Sequence, residues 1–181
     1  MLSVETLNYL IALGAVGMQF GAVVLVALFF LRKRFPDLED IASLARKWGL
    51  WIAFLAVSFA TVMSLYYSEV LGFAPCGLCW AQRVFIYSQV VLFALALWKR
   101  DRAIADYSIA LSIIGSVFGF YQHYLQMGGT DILPCPATIS LATDCATRIL
   151  FEFGYVTYPM VAVSLFGFLV ALMLFVREKR Q

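Results

Sequence analysis

Apolar residues run through this chain in five long blocks, separated by short stretches where charges, prolines and glycines gather. The uncharged windows are Leu7 to Leu31, Trp48 to Ser68, Val84 to Trp98, Tyr107 to Met127 and Phe153 to Val176. Blocks of this length predict five transmembrane helices, since a helix needs about 20 apolar residues to cross the hydrocarbon layer. Four blocks meet that length comfortably. The third reaches it only if Trp80 to Gln82 and Arg83 are included, so Arg83 must sit near the boundary, stretch toward the headgroups or line a polar pocket. No internal repeat, low-complexity tract, glycine-rich phosphate loop or separate soluble domain interrupts the pattern.

Composition agrees with that reading. Of 181 residues, 63% are hydrophobic and 13% charged, which excludes an ordinary soluble domain. A net charge of +2 is too small to suggest nucleic-acid binding, and the basic residues are segregated by segment instead of forming one face. Arg32, Lys33, Arg34, Arg46 and Lys47 lie between spans one and two, Lys99, Arg100 and Arg102 between three and four, and Arg177, Lys179 and Arg180 after five. Eleven of the 13 lysines and arginines therefore fall on one side. By the positive-inside rule that side is the cytoplasm, leaving the N-terminus and both cysteine-bearing loops outside and the C-terminus inside. Arg83 and Arg148 are the two basic residues on the cysteine side. The first span carries no basic residue ahead of it and Glu5 is acidic, so it reads as a permanent span and not as a secretory signal.

The connector from Arg32 to Lys47, with Pro36, Asp37, Glu39 and Asp40, reads either as a solvated link or as a short helix lying on the membrane surface. The turn through Lys99, Arg100, Asp101 and Arg102 is short enough to force spans three and four to run as antiparallel neighbours. The longest outer segment, from about Gly128 to Tyr158, ends in an apolar and aromatic stretch, Ile149 to Val156, suited to the membrane interface.

All four cysteines, Cys76, Cys79, Cys135 and Cys145, lie in the two outer loops, where an oxidising compartment favours two disulfides. Structural disulfides are one reading. A zinc site is disfavoured by the nine residues between Cys135 and Cys145, and no metal is expected. The catalytic reading has more specific support. A C-x-x-C pair closes too small a ring to stabilise a fold by loop entropy but suits reversible exchange, and at a helix start the free amides and dipole favour the thiolate. Arg83, at i+4 from Cys79, puts a fixed positive charge on the same helical face. Pro134-Cys135-Pro136 holds a second thiol in a stiffened, extended and exposed segment. One pair at the membrane and another above it would relay electrons from a water-soluble partner to a lipid-soluble one.

The single histidine, His123, lies near the outer end of span four. Counted from the turn between spans three and four, His123 and Cys79 are each about 20 residues away, so at about 1.5 Å per residue they reach similar heights. A headgroup beside Cys79 would then meet Arg83 and His123; the plainer alternative is an interfacial histidine with an ordinary hydrogen bond. Phe118, Phe120, Tyr121 and Tyr124 around it fit an aromatic belt.

Together, Cys76-Gly77-Leu78-Cys79-Trp80-Ala81-Gln82-Arg83, Tyr121-Gln122-His123-Tyr124, and Cys135 with Asp144-Cys145 resemble the DsbB disulfide-bond formation proteins and their BdbC-type relatives. The likeness runs from about span two to the C-terminus. It implies an all-α four-helix membrane bundle that reoxidises a DsbA-like thioredoxin-fold protein and passes electrons to a membrane quinone, ubiquinone or menaquinone, in a bacterial inner membrane. Cys135 would form the mixed disulfide with the partner, Cys145 would exchange with Cys76, and Cys79 would face the quinone, held and polarised by Arg83 and His123. No metal or flavin is called for.

Two features depart from the family pattern. Residues 1–47 add an N-terminal span and connector to the four-helix bundle of 48–181, and the resemblance gives that span no role. The spacing from Cys135 to Cys145 is also short, which bears on how a partner docks. A vitamin K epoxide reductase-like quinone reductase, and a non-enzymatic membrane protein with two structural disulfides, remain as alternatives. Four cysteines allow three connectivities.

Overall fold

A computed structural model describes residues 3–32, 34, 35, 38–130, 132, 135 and 144–178. It contains α1 (Val4–Leu31), α2 (Glu39–Leu65), α3 (Gly77–Lys99), α4 (Ile104–Gln126), a two-stranded hairpin of β1 (Phe151–Glu152) and β2 (Val156–Thr157), and α5 (Tyr158–Glu178). Among the described residues, five helices are long and apolar enough to cross a membrane. The chain is a multi-pass, all-α membrane protein, and five spans are what the apolar blocks predict.

The helix ends follow from local chemistry. Ser3 caps α1 by accepting from the Thr6 amide at 3.2 Å. The C-cap of α3 is Arg100 in the left-handed region (φ 56°), and Asp101 accepts from the Ala103 amide at 2.8 Å, closing the tight α3–α4 turn. The connector between spans one and two differs from both of its sequence readings. From Glu39 onward it is already α2, continuous with the span: Glu39 and Asp40 suit the positive end of the helix, and Arg46 pairs with Glu39 two turns away. Lys33, Pro36, Asp37, Lys179 and Arg180 lie outside the described residues.

At the cysteine end α2 continues as a π-helical turn, Tyr66–Val70, closed by Leu71 N–H donating to the Tyr66 carbonyl at 3.1 Å. The fifth helix starts at Tyr158 and not at Phe153. Phe151 to Thr157 folds back as the hairpin, with Phe151 opposite Thr157, and Phe153 (φ 53°) and Gly154 (φ 77°) make the reversal.

The bundle is organised around α5. Of its most apolar window 61% is buried, against 11% for α1, so α5 is the axis and α1 a peripheral helix. Phe166, Leu169, Leu172 and Met173 of α5 meet Ala53 and Val57 of α2, Ile86 and Phe93 of α3, and Ala105 of α4 in the main core. Close approach of α4 to α5 depends on two glycines. A Cβ on Gly115 would lie 2.5 Å from the Phe166 ring, and one on Gly119 2.6 Å from Val163. At the end opposite the cysteines, Arg102 donates to the Arg46 carbonyl at 3.0 Å and Arg177 pairs with Asp106 at 2.8 Å.

α1 docks on α5 and the hairpin through a narrow stripe: Asn8, Ala12, Ala15 and Gln19. Ala12 and Ala15 are fully buried against Leu150 and Val156. Gln19 donates to Ser164 at 2.8 Å and accepts from the Tyr155 hydroxyl at 2.8 Å. Asn8 donates to the Ile149 carbonyl at 3.1 Å and accepts from the Tyr67 hydroxyl at 2.5 Å. Small residues permit the approach, and the two amides, three turns apart, fix its register.

Candidate functional site

Cys76 is the N-cap of α3. Its backbone is extended (φ −75°, ψ 171°), and its sulfur accepts from the Cys79 amide at 3.2 Å, the place a serine or aspartate oxygen takes in an ordinary cap. The C-x-x-C spacing thus brings both sulfurs to a helix N-terminus, as the sequence predicts. Both thiols are free, whereas Cys135 and Cys145 form a disulfide with a Cα separation of 6.0 Å.

The two pairs share one apolar cluster. Cys76, Leu78, Leu125 and Cys145 are buried in it, and Cys79, Cys135, Phe118 and Tyr121 pack against it. Cys135 is therefore half-buried and not exposed as expected, because its disulfide partner Cys145 is seated on α3 and α4. The flanking Pro134 and Pro136 lie outside the described residues. An Asx turn presents Cys145: Asp144 accepts from the Ala146 amide at 3.0 Å, and its carbonyl accepts from the Thr147 amide at 3.1 Å. Gln126 donates to the Thr147 carbonyl at 2.9 Å, and Arg148 donates to the Gln126 carbonyl at the C-terminal end of α4 while stacking over Phe151. Arg148, one of the two basic residues at this end, thus binds the segment after Cys145 to the bundle.

Polar residues missing from the expected site surround the inner pair. Gln122 Nε2 donates to Cys76 Sγ at 3.1 Å and to Cys79 Sγ at 3.2 Å, and its own carbonyl oxygen accepts from Gln82 at 2.6 Å. Both amides are buried. The available signal was their position: a glutamine inside an apolar span faces the bundle interior unless it reaches the interface. The Cys76 thiol is pushed up in pKa, first by its hydrogen bond with Cys79 and then by burial.

Arg83 is buried, and of the options that the sequence leaves it, it lines a pocket. Its Nε donates to the Ser64 hydroxyl at 2.9 Å and its Nη2 to the Ser64 carbonyl at 2.8 Å, while the guanidinium lies over Trp80 at 5.3 Å. His123 is placed differently from its expected role. Equal height does not make it share a face with Gln122, because one residue turns a helix by about 100°. Its Nδ1 is hydrogen-bonded to Thr157 at 2.8 Å, and Gln122, not His123, is the α4 residue beside Cys79.

A cavity of about 340 Å³ opens against this site. Cys79, Gln82, Arg83 and Gln122 line it together with Ser64 and Tyr67, and the rest of its wall is almost wholly apolar. A site with a thiol and a guanidinium at one end and hydrocarbon along the remainder suits a molecule with a polar head and a lipophilic body.

Comparison with known proteins gives one consistent answer. Residues 46–176 match the model of the family described as disulfide bond formation protein DsbB. The chain is 33% identical over 133 residues to a probable disulfide formation protein of Chlamydia caviae, covering 74% of this chain and 94% of that one. It is 32% identical over 145 residues to a probable disulfide formation protein of Coxiella burnetii, covering 77% and 97%. With the SPbeta prophage-derived disulfide bond formation protein B of Bacillus subtilis it shares 30% identity over 132 residues, covering 71% and 86%. No solved structure matches the chain. With the C-x-x-C pair, the outer pair, all of α3 and α4 and most of α2 and α5 inside the matched region, the chain belongs to the DsbB family of disulfide bond formation proteins.

Proposed function

We propose that this protein is a thiol:quinone oxidoreductase of a bacterial inner membrane, which reoxidises a DsbA-like thioredoxin-fold protein and delivers the electrons to a membrane quinone. The observation that carries the reading is the shared cluster: the outer disulfide is packed on the inner dithiol, and the inner dithiol borders the cavity that Arg83 lines. In the reaction, a thiolate of the reduced partner attacks Cys135, and the mixed disulfide resolves to leave the partner oxidised and Cys135 and Cys145 reduced. Cys145 then attacks Cys76 of an inner disulfide closed in the previous turnover, and Cys135 attacks Cys145 to release Cys76, so the outer disulfide is restored and the two electrons pass to Cys76 and Cys79, each step breaking one S–S bond as another forms. The Cys76–Cys79 dithiol finally gives up two electrons and two protons and closes to a disulfide. A quinone supplies the matching two-electron, two-proton acceptor.

The residues present fit such an acceptor. Arg83 is oriented by Ser64, so its charge is fixed before negative charge develops on a ring oxygen, and Gln122 holds the two sulfurs in place. The gathering of eleven of the 13 basic residues in the sequence segments that carry no cysteine supports an orientation with the cysteines outside the cytoplasm. The test is an assay with purified protein, a reduced thioredoxin-fold substrate, and quinone present or absent. Oxidation should require quinone and vanish in Cys79→Ser; turnover that survived that substitution would sink the proposal.

A further inference from the structure

The cavity beside Cys79 is not built by the family region alone. One side is the face of α1 carrying Leu7, Ile11, Gly14 and Met18, and the facing side is α2 with Phe59 and Met63. These α1 residues form the stripe next to the docking stripe of Asn8, Ala12, Ala15 and Gln19. The helix is therefore held to α5 by one face and turns the adjacent face into the cleft. The family match begins at residue 46, so all of α1 lies outside it.

The cleft has a direction. The hydrogen bond from Tyr67 to Asn8 joins α1 and α2 at the cysteine end. From Leu7 to Met18 the wall then runs about 16 Å along α1, at about 1.5 Å per residue. Its polar lining is concentrated at Cys79, Gln82 and Arg83, and on its sides Leu10 is half exposed, at 50%, and Phe59 more than half, at 63%. A molecule with its ring at Cys79 would have its body directed along this apolar trough. Gly14 leaves the trough open: a Cβ there would meet nothing within 4 Å.

We infer that α1 is a wall of the acceptor site, holding the isoprenoid tail of the quinone between itself and α2. The inference rests on the quinone reading above. It makes the first helix a determinant of acceptor choice: the protein prefers quinones with a long tail to the same rings without one, because only the tail reaches α1.

The test uses the full chain in detergent, with ubiquinone and menaquinone carrying long isoprenoid tails and with the tail-free rings of both types. Binding is read as ligand-induced thermal stabilisation, and quinone-dependent oxidation is followed in parallel. Gly14→Phe puts a ring into the trough and should weaken binding of the tailed quinone by about tenfold or more, while binding of the tail-free ring changes by less than about twofold. Gly17→Phe adds the same bulk on α1 at a glycine that does not line the cleft, and should leave both unchanged. Gly14→Leu gives a smaller loss in the same direction and serves if the larger side chain impairs folding. Equal binding of the tailed quinone by wild type and both Gly14 variants would overturn the inference and leave the trough to membrane lipid. Wild type that oxidises its partner without any quinone would instead overturn the underlying reading.

Discussion

Gln122 and Cys79 stand on neighbouring helices, and the Gln122 side-chain amide donates to the Cys79 sulfur at 3.2 Å. The same N–H group reaches Cys76, so one residue of α4 touches both members of the inner pair. These donors lie on the reduced sulfurs and favour the reduced state. Replacing Gln122 with Leu should make the Cys76–Cys79 couple more reducing by about 30 mV, the equivalent of a lost interaction of about 1.4 kcal/mol. Equilibration against glutathione buffers measures it. An unchanged midpoint would reduce Gln122 to packing.

Arg83 is held by both the hydroxyl and the carbonyl of Ser64. Arg83→Met should raise the quinone KM by about tenfold or more while the KM for the thiol partner stays near wild type. Ser64→Ala removes one of the two restraints and should produce a smaller shift in the same parameter. Steady-state kinetics with each substrate varied in turn separates the two; a change confined to the partner KM would move Arg83 out of the acceptor site.

The contact between Gly115 and Phe166 sets the spacing of α4 and α5. Gly115→Ala pushes a methyl into a fully buried ring and should cost about 1–3 kcal/mol of stability. Phe166→Leu, made in the alanine background, should recover part of that loss. Thermal unfolding of the two variants shows whether the glycine is there for its size.

Asn8 ties α1 at once to the end of α2, through Tyr67, and to the segment after Cys145, through Ile149. Asn8→Leu leaves the Tyr67 hydroxyl and the Ile149 carbonyl unpaired, at a cost of about 1–3 kcal/mol. The melting temperature should fall, and Tyr67→Phe, which removes a donor without stranding the Asn8–Ile149 bond, should lower it less. Equal melting temperatures for Asn8→Leu and wild type would show that α1 is held elsewhere.

Much of this architecture is legible in the residue order because a bilayer demands long apolar blocks and leaves its mark in the charges between them. The placement of Cys76 and Cys79 at a helix start beside Arg83 is legible for a different reason: C-x-x-C followed by Arg83 is a local pattern, and local patterns survive without tertiary knowledge. What sequence counting cannot supply is azimuth. His123 and Gln122 differ in height by one residue, yet only Gln122 turns toward the sulfurs. Nor does α1 disclose its docking face by periodicity, since it is apolar all round and that face is marked only by two alanines and two amides. The hairpin at 151–157 escaped for a related reason. Its apolar residues suit an interface equally as strand or coil, and the Glu152–Val156 pairing depends on the reversal at Phe153 and Gly154.

The first helix of the chain rests on the last. Gln19 and Ser164, bonded across the α1–α5 contact, are 145 residues apart in sequence. During synthesis α1 enters the membrane long before α5 exists, and until then its docking stripe has no surface to meet. Assembly of the cleft beside Cys79 is thus deferred to the end of translation, and a chain cut short before α5 would carry Cys76 and Cys79 without the cavity that borders them.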